Sequence, residues 1–136
     1  MAIMSKRIQE TFEKRKIVAL ATASRGGTPN VVPVGAKWII DDETILISDQ
    51  YMNKTLSNLK ENPHAAVTFW DKIEGYQMKG TATYETSGRR FEEAAKRVEK
   101  IGSSRNLSLK SKGVVIFKIT EIYNVSPGPD AGKRVS

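Results

Sequence analysis

The sequence predicts a mainly β protein, a small closed barrel of six antiparallel strands with flanking helices on its outside. Residues 75–85 alternate between two sets of side chains, as a strand does. The predicted strands are joined mostly by turns or one short helix, which are too short for the crossovers that parallel strands need. Several strands carry apolar residues on both faces, and this indicates a closed sheet without exposed edges.

The six strands are predicted from apolar, β-rich runs that end at Gly, Pro, Asn or Asp. They cover residues 17–24, 30–40, 44–48, 64–71, 75–85 and 113–126. Helices are predicted over residues 5–16, 53–62 and 87–101, from apolar residues at helical spacing and from the stop signals Pro63 and Gly102. No repeat or linker divides the chain, so we expect a single domain over residues 1–136.

The second predicted strand, residues 30–40, has an unusual interior because it contains Pro33 and Gly35. A proline inside a strand indicates an edge or a bulge, and a glycine indicates a close approach by another group. Such a stretch leaves backbone N–H and C=O groups without partners. These groups are candidates for binding the polar edge of a ligand.

The composition is that of an ordinary soluble domain, with 39% hydrophobic and 27% charged residues. No apolar run reaches the roughly 20 residues of a membrane helix, and no signal-peptide pattern occurs, so we expect a cytoplasmic protein. The absence of cysteine excludes disulfides and thiolate chemistry. A single histidine, His64, excludes a His-cluster metal site, and we predict no metal. The formal net charge of +7 admits an anionic partner such as a phosphorylated cofactor or nucleic acid.

A lysine and a threonine begin the short second helix, just past the end of the third predicted strand. The first turn of a helix has unpaired N–H groups and the positive end of the helix dipole. The cation of Lys54 is therefore unfavourable there unless an anion lies beside it, and a bound phosphate is such an anion. The alternative is that Asn53 caps the helix while Lys54 and Thr55 face solvent.

From Pro29 to Trp70, the order of elements resembles the FMN-binding split-barrel family, which includes pyridoxamine 5'-phosphate oxidase and small FMN-binding proteins. The shared order is a Gly/Pro turn, an interrupted strand, a strand, a Lys-Thr helix, "NP" and another strand. The stretches "GYQMKGTATYET", "GRRFEEAAKRV" and "EIYNVSPGPDAGKR" extend the resemblance to about residues 17–134. The resemblance implies a split β-barrel that forms a homodimer and binds FMN near the subunit interface.

The resemblance also implies which residues bind the cofactor. Lys54 and Thr55 match the positions that hold the phosphate, and Ser48 and Asp49 match positions beside the ribityl chain. The backbone of residues 32–35 is expected to meet the flavin ring, and Gln77 to reach the cofactor from the neighbouring subunit. The complete predicted set is Val32, Pro33, Val34, Gly35, Ser48, Asp49, Asn53, Lys54, Thr55 and Gln77. For Asp49 a polar turn, and for Gln77 a solvated strand face, remain alternatives.

The activity implied is that of a flavin-dependent oxidoreductase or an electron carrier, which works with a small-molecule or protein redox partner. The chain has Asn53-Lys54 where pyridoxamine phosphate oxidases have Arg-Lys, and it lacks their arginine-bearing C-terminal segment, so we do not predict that reaction. An F420-binding reductase, a nucleic-acid-binding barrel and a haem- or ligand-handling scaffold remain alternatives. Aromatic residues are not interleaved with the basic run at 89–112, which argues against nucleic acid.

Overall fold

The structure is a computed structural model, and it describes residues 2–136. Three helices and seven strands follow one another along the chain. The helices are α1 (Lys6–Lys14), α2 (Lys54–Glu61) and α3 (Arg89–Ser104). The strands are β1 (Val18–Ala23), β2 (Pro29–Val34), β3 (Lys37–Asp41), β4 (Thr44–Asp49), β5 (His64–Asp71), β6 (Glu74–Glu85) and β7 (Gly113–Asn124). No helix within residues 2–136 is long and apolar enough to span a membrane.

All seven strands belong to one antiparallel sheet in the order β2-β1-β5-β6-β7-β4-β3. The prediction of a mainly β, antiparallel sheet with flanking helices is therefore confirmed. Long strands that pair along most of their length hold the middle of the sheet together. The ladder between β6 and β7 runs from Tyr76 and Asn124 to Glu85 and Val114.

The prediction of six strands in a closed barrel is wrong, because residues 30–40 form two strands that lie at opposite ends of the sheet. Val34 pairs with Val18 of β1, whereas Lys37 pairs with Ile47 of β4. The chain changes partners across Gly35 and Ala36, and the Ala36 carbonyl accepts a hydrogen bond from Ser48 N at 2.8 Å. No ladder joins β2 to β3 in the described chain, so the sheet is open at this corner.

The inner face of the sheet packs against α1 and α2 around the main core. Phe12 of α1 meets Phe69 of β5 edge to face, with ring centroids 5.2 Å apart. Both side chains are almost completely buried. Burial of such aromatic side chains is the main term that holds helices on a sheet.

The outer face of the sheet is divided into a covered half and an uncovered half. Over β4 and β7, Leu46, Val114 and Ile116 form a second core with Ala94 of α3. Over β1 and β5, the outward positions carry small, half-buried side chains such as Ala21, with the exposed side chains of His64 and Trp70 towards the two ends of β5. Helix α3 therefore buries only one half of the outer face.

A bulge interrupts the pairing of β6 with β7 between Lys79 and Gly80. A Cβ atom at residue 80 would overlap the carbonyl oxygen of Lys118, so the close approach of the two backbones requires a glycine here. A bulge bends a strand and increases its twist. The extra residue is Thr120 of β7, so the alternation of β6 is kept from Tyr76 to Tyr84, while that of β7 shifts between Ile119 and Ile122.

Candidate functional site

Helix α2 begins without a side-chain cap. Asn53, at the cap position, makes no side-chain hydrogen bond to the helix, although its carbonyl oxygen accepts from Ser57 N at 3.1 Å. Asn53 thus occupies the cap position without a side-chain cap, and of the two residues that the alternative interpretation places in solvent, Lys54 is exposed and Thr55 is buried. The Lys54 side chain is exposed and forms no ion pair with another described residue. The first turn of α2 thus presents open N–H groups beside a free cation, which is an arrangement that favours an anion.

Thr55 lies in a cluster of two amides and two hydroxyls that joins α2 to β1 and β2. Asn30 Nδ2 donates to Thr55 Oγ1 at 3.1 Å and to Thr22 Oγ1 at 3.3 Å. Asn58 Nδ2 donates to Thr22 Oγ1 at 3.1 Å. Thr55 is only 2% exposed, and within residues 2–136 its hydroxyl accepts a hydrogen bond but donates none. A buried hydroxyl hydrogen without an acceptor is costly, so this position suits a ligand oxygen.

Asp49 is fully buried, and both of its carboxylate oxygens are in use. Oδ1 accepts from Met52 N at 2.8 Å, and Oδ2 accepts from the Tyr84 hydroxyl at 2.6 Å. Burial, together with this bond to Asp49, raises the pKa of Tyr84 and keeps its hydroxyl a neutral donor. The carboxylate thus fixes the turn that leads from β4 into α2.

Ser48 is also committed to contacts inside the chain. Its hydroxyl donates to Ser111 Oγ at 2.6 Å, and Ser111 donates to the Gly113 carbonyl at 2.9 Å. Lys112 N donates to the Asp49 carbonyl at 2.7 Å. The end of β4 is therefore tied to the segment that precedes β7. The side chains of Ser48 and Asp49 therefore hold the backbone beside the site in place, and they do not present free polar groups to it.

The predicted ring-binding residues lie on β2 and just beyond it. Val32 packs against the main core and Val34 is buried, whereas Pro33 and Gly35 are exposed. Asn30 precedes Val32 by two residues, so these side chains point to the same side of the strand. By strand geometry, Asn30 and Val34 lie about 13 Å apart. One side of β2 therefore leads from the start of α2 to the open corner of the sheet.

Gln77 lies on the outer face of β6, between Thr68 of β5 and Tyr123 of β7. Its neighbour Met78 points into the main core on the inner face. The cluster around Thr55 is attached to Thr22, which also points inward. The structure therefore does not bring Gln77 together with Thr55 within one chain, and contact with the cofactor of a neighbouring subunit stays a prediction.

Sequence reasoning missed four residues at this site: Thr22, Asn30, Asn58 and Tyr84. A signal existed for Asn58, which follows Thr55 by three residues and so lies on the same helix face. Asn30 carried the weaker signal of a polar side chain in an apolar strand. Tyr84 gave none, because its predicted alternation with Ala82 placed it in the core, as an apolar ring rather than as a hydrogen-bond donor.

The uncovered half of the outer face is partly apolar. Ala19, Ala21 and Ala66 lie side by side on β1 and β5. Val31 on β2 is 65% exposed and Trp70 on β5 is 56% exposed. A shallow groove of about 330 Å³ crosses this face, and His64, Lys79 and Glu121 are among its lining residues. Exposed apolar side chains grouped on one face are typical of an interaction surface.

Comparison with known proteins places the chain in a family. A family model described as pyridoxamine 5'-phosphate oxidase matches residues 4–126. An uncharacterized protein of Methanocaldococcus jannaschii is 45% identical over 126 residues, which are 90% of this chain and 82% of the relative.

Two solved structures share the fold. HupZ of Group A Streptococcus has a TM-score of 0.80 at 24% identity, over 96% of this chain and 100% of that one. An FMN-binding protein of Syntrophomonas wolfei has a TM-score of 0.76 at 21% identity, over 90% of this chain and 89% of that one. Since the family model spans nearly the whole sequence, the chain belongs to the pyridoxamine 5'-phosphate oxidase-like family of FMN-binding split barrels.

Proposed function

We propose that this protein is a homodimeric FMN-binding flavoprotein that acts as an oxidoreductase or an electron carrier. One observation carries the proposal: the first turn of α2 combines uncapped amides, a free lysine and a buried hydroxyl hydrogen without an acceptor. A phosphate oxygen supplies the missing acceptor to the amides and to Thr55, and its charge balances that of Lys54. The name of the Syntrophomonas wolfei structure, an FMN-binding protein, supports FMN as the phosphorylated ligand.

The ring of the flavin is assigned to the corner between β2 and β3. Gly35 lies between the ladder that ends at Val34 and the ladder that begins at Lys37, so its peptide groups belong to neither. Such groups suit the polar edge of an isoalloxazine, and the half-buried Val32 adds an apolar side chain nearby. When bound, FMN supplies the electron transfer, and the residues of this chain bind it and orient it. The ribityl chain then extends along β2 between the phosphate and the ring.

The uncovered half of the outer face, around Ala21 and Ala66, is assigned to the dimer interface. Small side chains allow two sheets to approach closely, and Val31 and Trp70 add apolar area at its margins. Gln77 lies on this same face, so a partner placed here brings its own Gln77 towards the first subunit.

We expect the substitution Ala21→Arg to convert the dimer to a monomer. The long, charged side chain would be placed at the centre of the small-residue face, where it prevents the close packing of two sheets. Sedimentation velocity measures the oligomeric state of the variant, and a flavin titration measures its FMN affinity. The matched control is Thr86→Arg, at an exposed position between β6 and α3 that adds the same side chain. A dimeric Ala21→Arg protein would exclude this face as the interface.

The proposed function is tested by an absorption spectrum of the purified protein, followed by titration of the flavin-free form with FMN and with riboflavin. We expect a flavin spectrum, micromolar or tighter binding of FMN, and much weaker binding of riboflavin, which lacks the phosphate. Addition of NADH or NADPH then shows whether the bound flavin is reduced. A protein that is colourless and takes up no added FMN would contradict the proposal.

F420, a deazaflavin cofactor that also carries a phosphate, is the second candidate ligand. A solved structure with this fold, described as an F420 reductase, has a TM-score of 0.63 at 16% identity. The α2 site recognises the phosphate in either case, so its residues do not separate the two ligands. Mass spectrometry of the ligand released from the purified protein distinguishes them directly.

A further inference from the structure

We propose that Asn30 is a positioning residue for the phosphate, because it orients the hydroxyl of Thr55 towards the ligand. The inference rests on the proposed FMN site and adds to it a residue that does not itself contact the cofactor. Asn30 lies on β2, opposite Thr22 of β1, at the end of the strand that faces α2. It thus reaches across from the sheet to the first turn of the helix.

The amide of Asn30 uses both hydrogens of its nitrogen within the cluster. One is donated to Thr55 Oγ1 at 3.1 Å and the other to Thr22 Oγ1 at 3.3 Å. An amide nitrogen donates and does not accept, so Thr55 Oγ1 must be the acceptor in its bond with Asn30. The one hydrogen of the Thr55 hydroxyl is therefore left for another partner.

A threonine inside a helix can donate to the backbone carbonyl four residues earlier, but Thr55 is the second residue of α2, so residue 51 lies outside the helix. With Asn30 in place, a lone pair of Thr55 Oγ1 is directed at the amide, and the hydroxyl hydrogen is turned away from the sheet. A phosphate at the start of α2 then receives a charge-assisted hydrogen bond, which is stronger than one between neutral groups. Without Asn30, the hydroxyl is free to rotate and must be reoriented when the ligand binds.

Asn30 also helps to hold α2 against the sheet, together with Asn58 and Thr22. A loss of FMN binding in a variant would therefore not by itself distinguish orientation of the hydroxyl from displacement of the helix. The two causes separate when the ligand is varied. Orientation of Thr55 affects only a ligand that carries a phosphate, whereas displacement of α2 also disturbs the path of the ribityl chain and the ring.

The test measures dissociation constants of FMN and riboflavin by flavin fluorescence for the wild type and Asn30→Ala. We expect the ratio of riboflavin to FMN dissociation constants to fall by about three- to tenfold in Asn30→Ala, the scale of one hydrogen bond. In a Thr55→Val background, which has no hydroxyl, Asn30→Ala should leave the ratio unchanged. The phosphorus NMR signal of bound FMN should shift in Asn30→Ala but not when the same change is made in Thr55→Val.

Asn30→Asp reverses the polarity of the bond, since a carboxylate accepts and would draw the Thr55 hydrogen away from the phosphate. Asn30→Asp should lower the ratio of riboflavin to FMN dissociation constants further than Asn30→Ala does. Asn58→Asp is the matched control, because it adds the same charge to the same cluster but has no bond to Thr55. If Asn58→Asp lowers the ratio as much as Asn30→Asp does, the effect is one of charge and the inference is overturned.

Failure of the inference and failure of the proposed function give different results. The role of Asn30 is overturned, while the phosphate site stands, if Asn30→Ala weakens FMN and riboflavin binding equally. It is also overturned if Asn30→Ala lowers the ratio of riboflavin to FMN dissociation constants equally in the wild-type and Thr55→Val backgrounds. A wild-type protein that binds the two ligands equally overturns the phosphate site itself, and the Asn30 inference with it.

Discussion

Lys54→Met is expected to weaken FMN binding by about 1–3 kcal/mol, which is roughly 5- to 150-fold in Kd. Methionine keeps much of the length and apolar surface of the side chain but removes its charge. Because Lys54 is exposed and forms no ion pair among residues 2–136, its loss should leave the fold unchanged. Fluorescence titration of the flavin-free protein measures the affinity, and thermal unfolding checks the fold.

Lys60→Met supplies the matched control, since Lys60 lies in the last turn of the same helix. The net charge falls equally in both variants, so a general electrostatic effect would weaken FMN binding equally. We expect Lys60→Met to bind FMN nearly as the wild type does, and Lys54→Met to bind riboflavin as the wild type does. If Lys54→Met binds FMN with wild-type affinity, Lys54 does not contact the phosphate.

Most of the sheet was predictable because each of its strands has a recognisable pattern in its own residues. The alternation in residues 75–85 and the apolar run in residues 113–126 each predict a strand without reference to the rest of the chain. The division of residues 30–40 was not predictable in the same way. Pro33 and Gly35 indicate an interruption, but whether the chain bulges or changes partners depends on Val18 and Ile47, which are distant in sequence.

Some residues of the candidate site could likewise be predicted from local sequence patterns, whereas others depend on contacts between distant parts of the chain. The Lys54-Thr55 pair at a helix start is a local pattern, and it could be assigned to a phosphate from the sequence. The bond from Asn30 to Thr55 joins residues 25 positions apart, and the bond from Tyr84 to Asp49 joins residues 35 positions apart. Such bonds depend on how the sheet folds back on itself, and no periodicity in the sequence encodes them.

For Asp49, the role implied by the family resemblance differs from the contacts that the structure shows. The family resemblance places it beside the ribityl chain, as a residue that contacts the cofactor. The structure commits both of its oxygens, one to Met52 N and one to the Tyr84 hydroxyl, and buries it fully. Because its side chain is fully buried by these contacts, Asp49 is expected to act through the backbone that it holds.

Asp49→Ala is therefore expected to lower the free energy of unfolding by about 2–5 kcal/mol, because two donors lose their acceptor in a buried site. Urea unfolding followed by tryptophan fluorescence measures the change. The control is Asp42→Ala in the turn before β4, where the side chain is exposed and should contribute little. Equal unfolding midpoints for the two variants would contradict the structural role of Asp49.

A double-mutant cycle with Tyr84→Phe tests the contact itself. If the hydroxyl of Tyr84 is stabilised mainly by Asp49, the Asp49→Ala and Tyr84→Phe changes should be strongly non-additive. FMN affinity then separates the two interpretations of Asp49. A structural role predicts that Tyr84→Phe also weakens FMN binding, since it removes a donor from Asp49 and loosens the same turn. A direct contact with the ribityl chain predicts instead that Asp49→Ala loses FMN affinity while Tyr84→Phe keeps it.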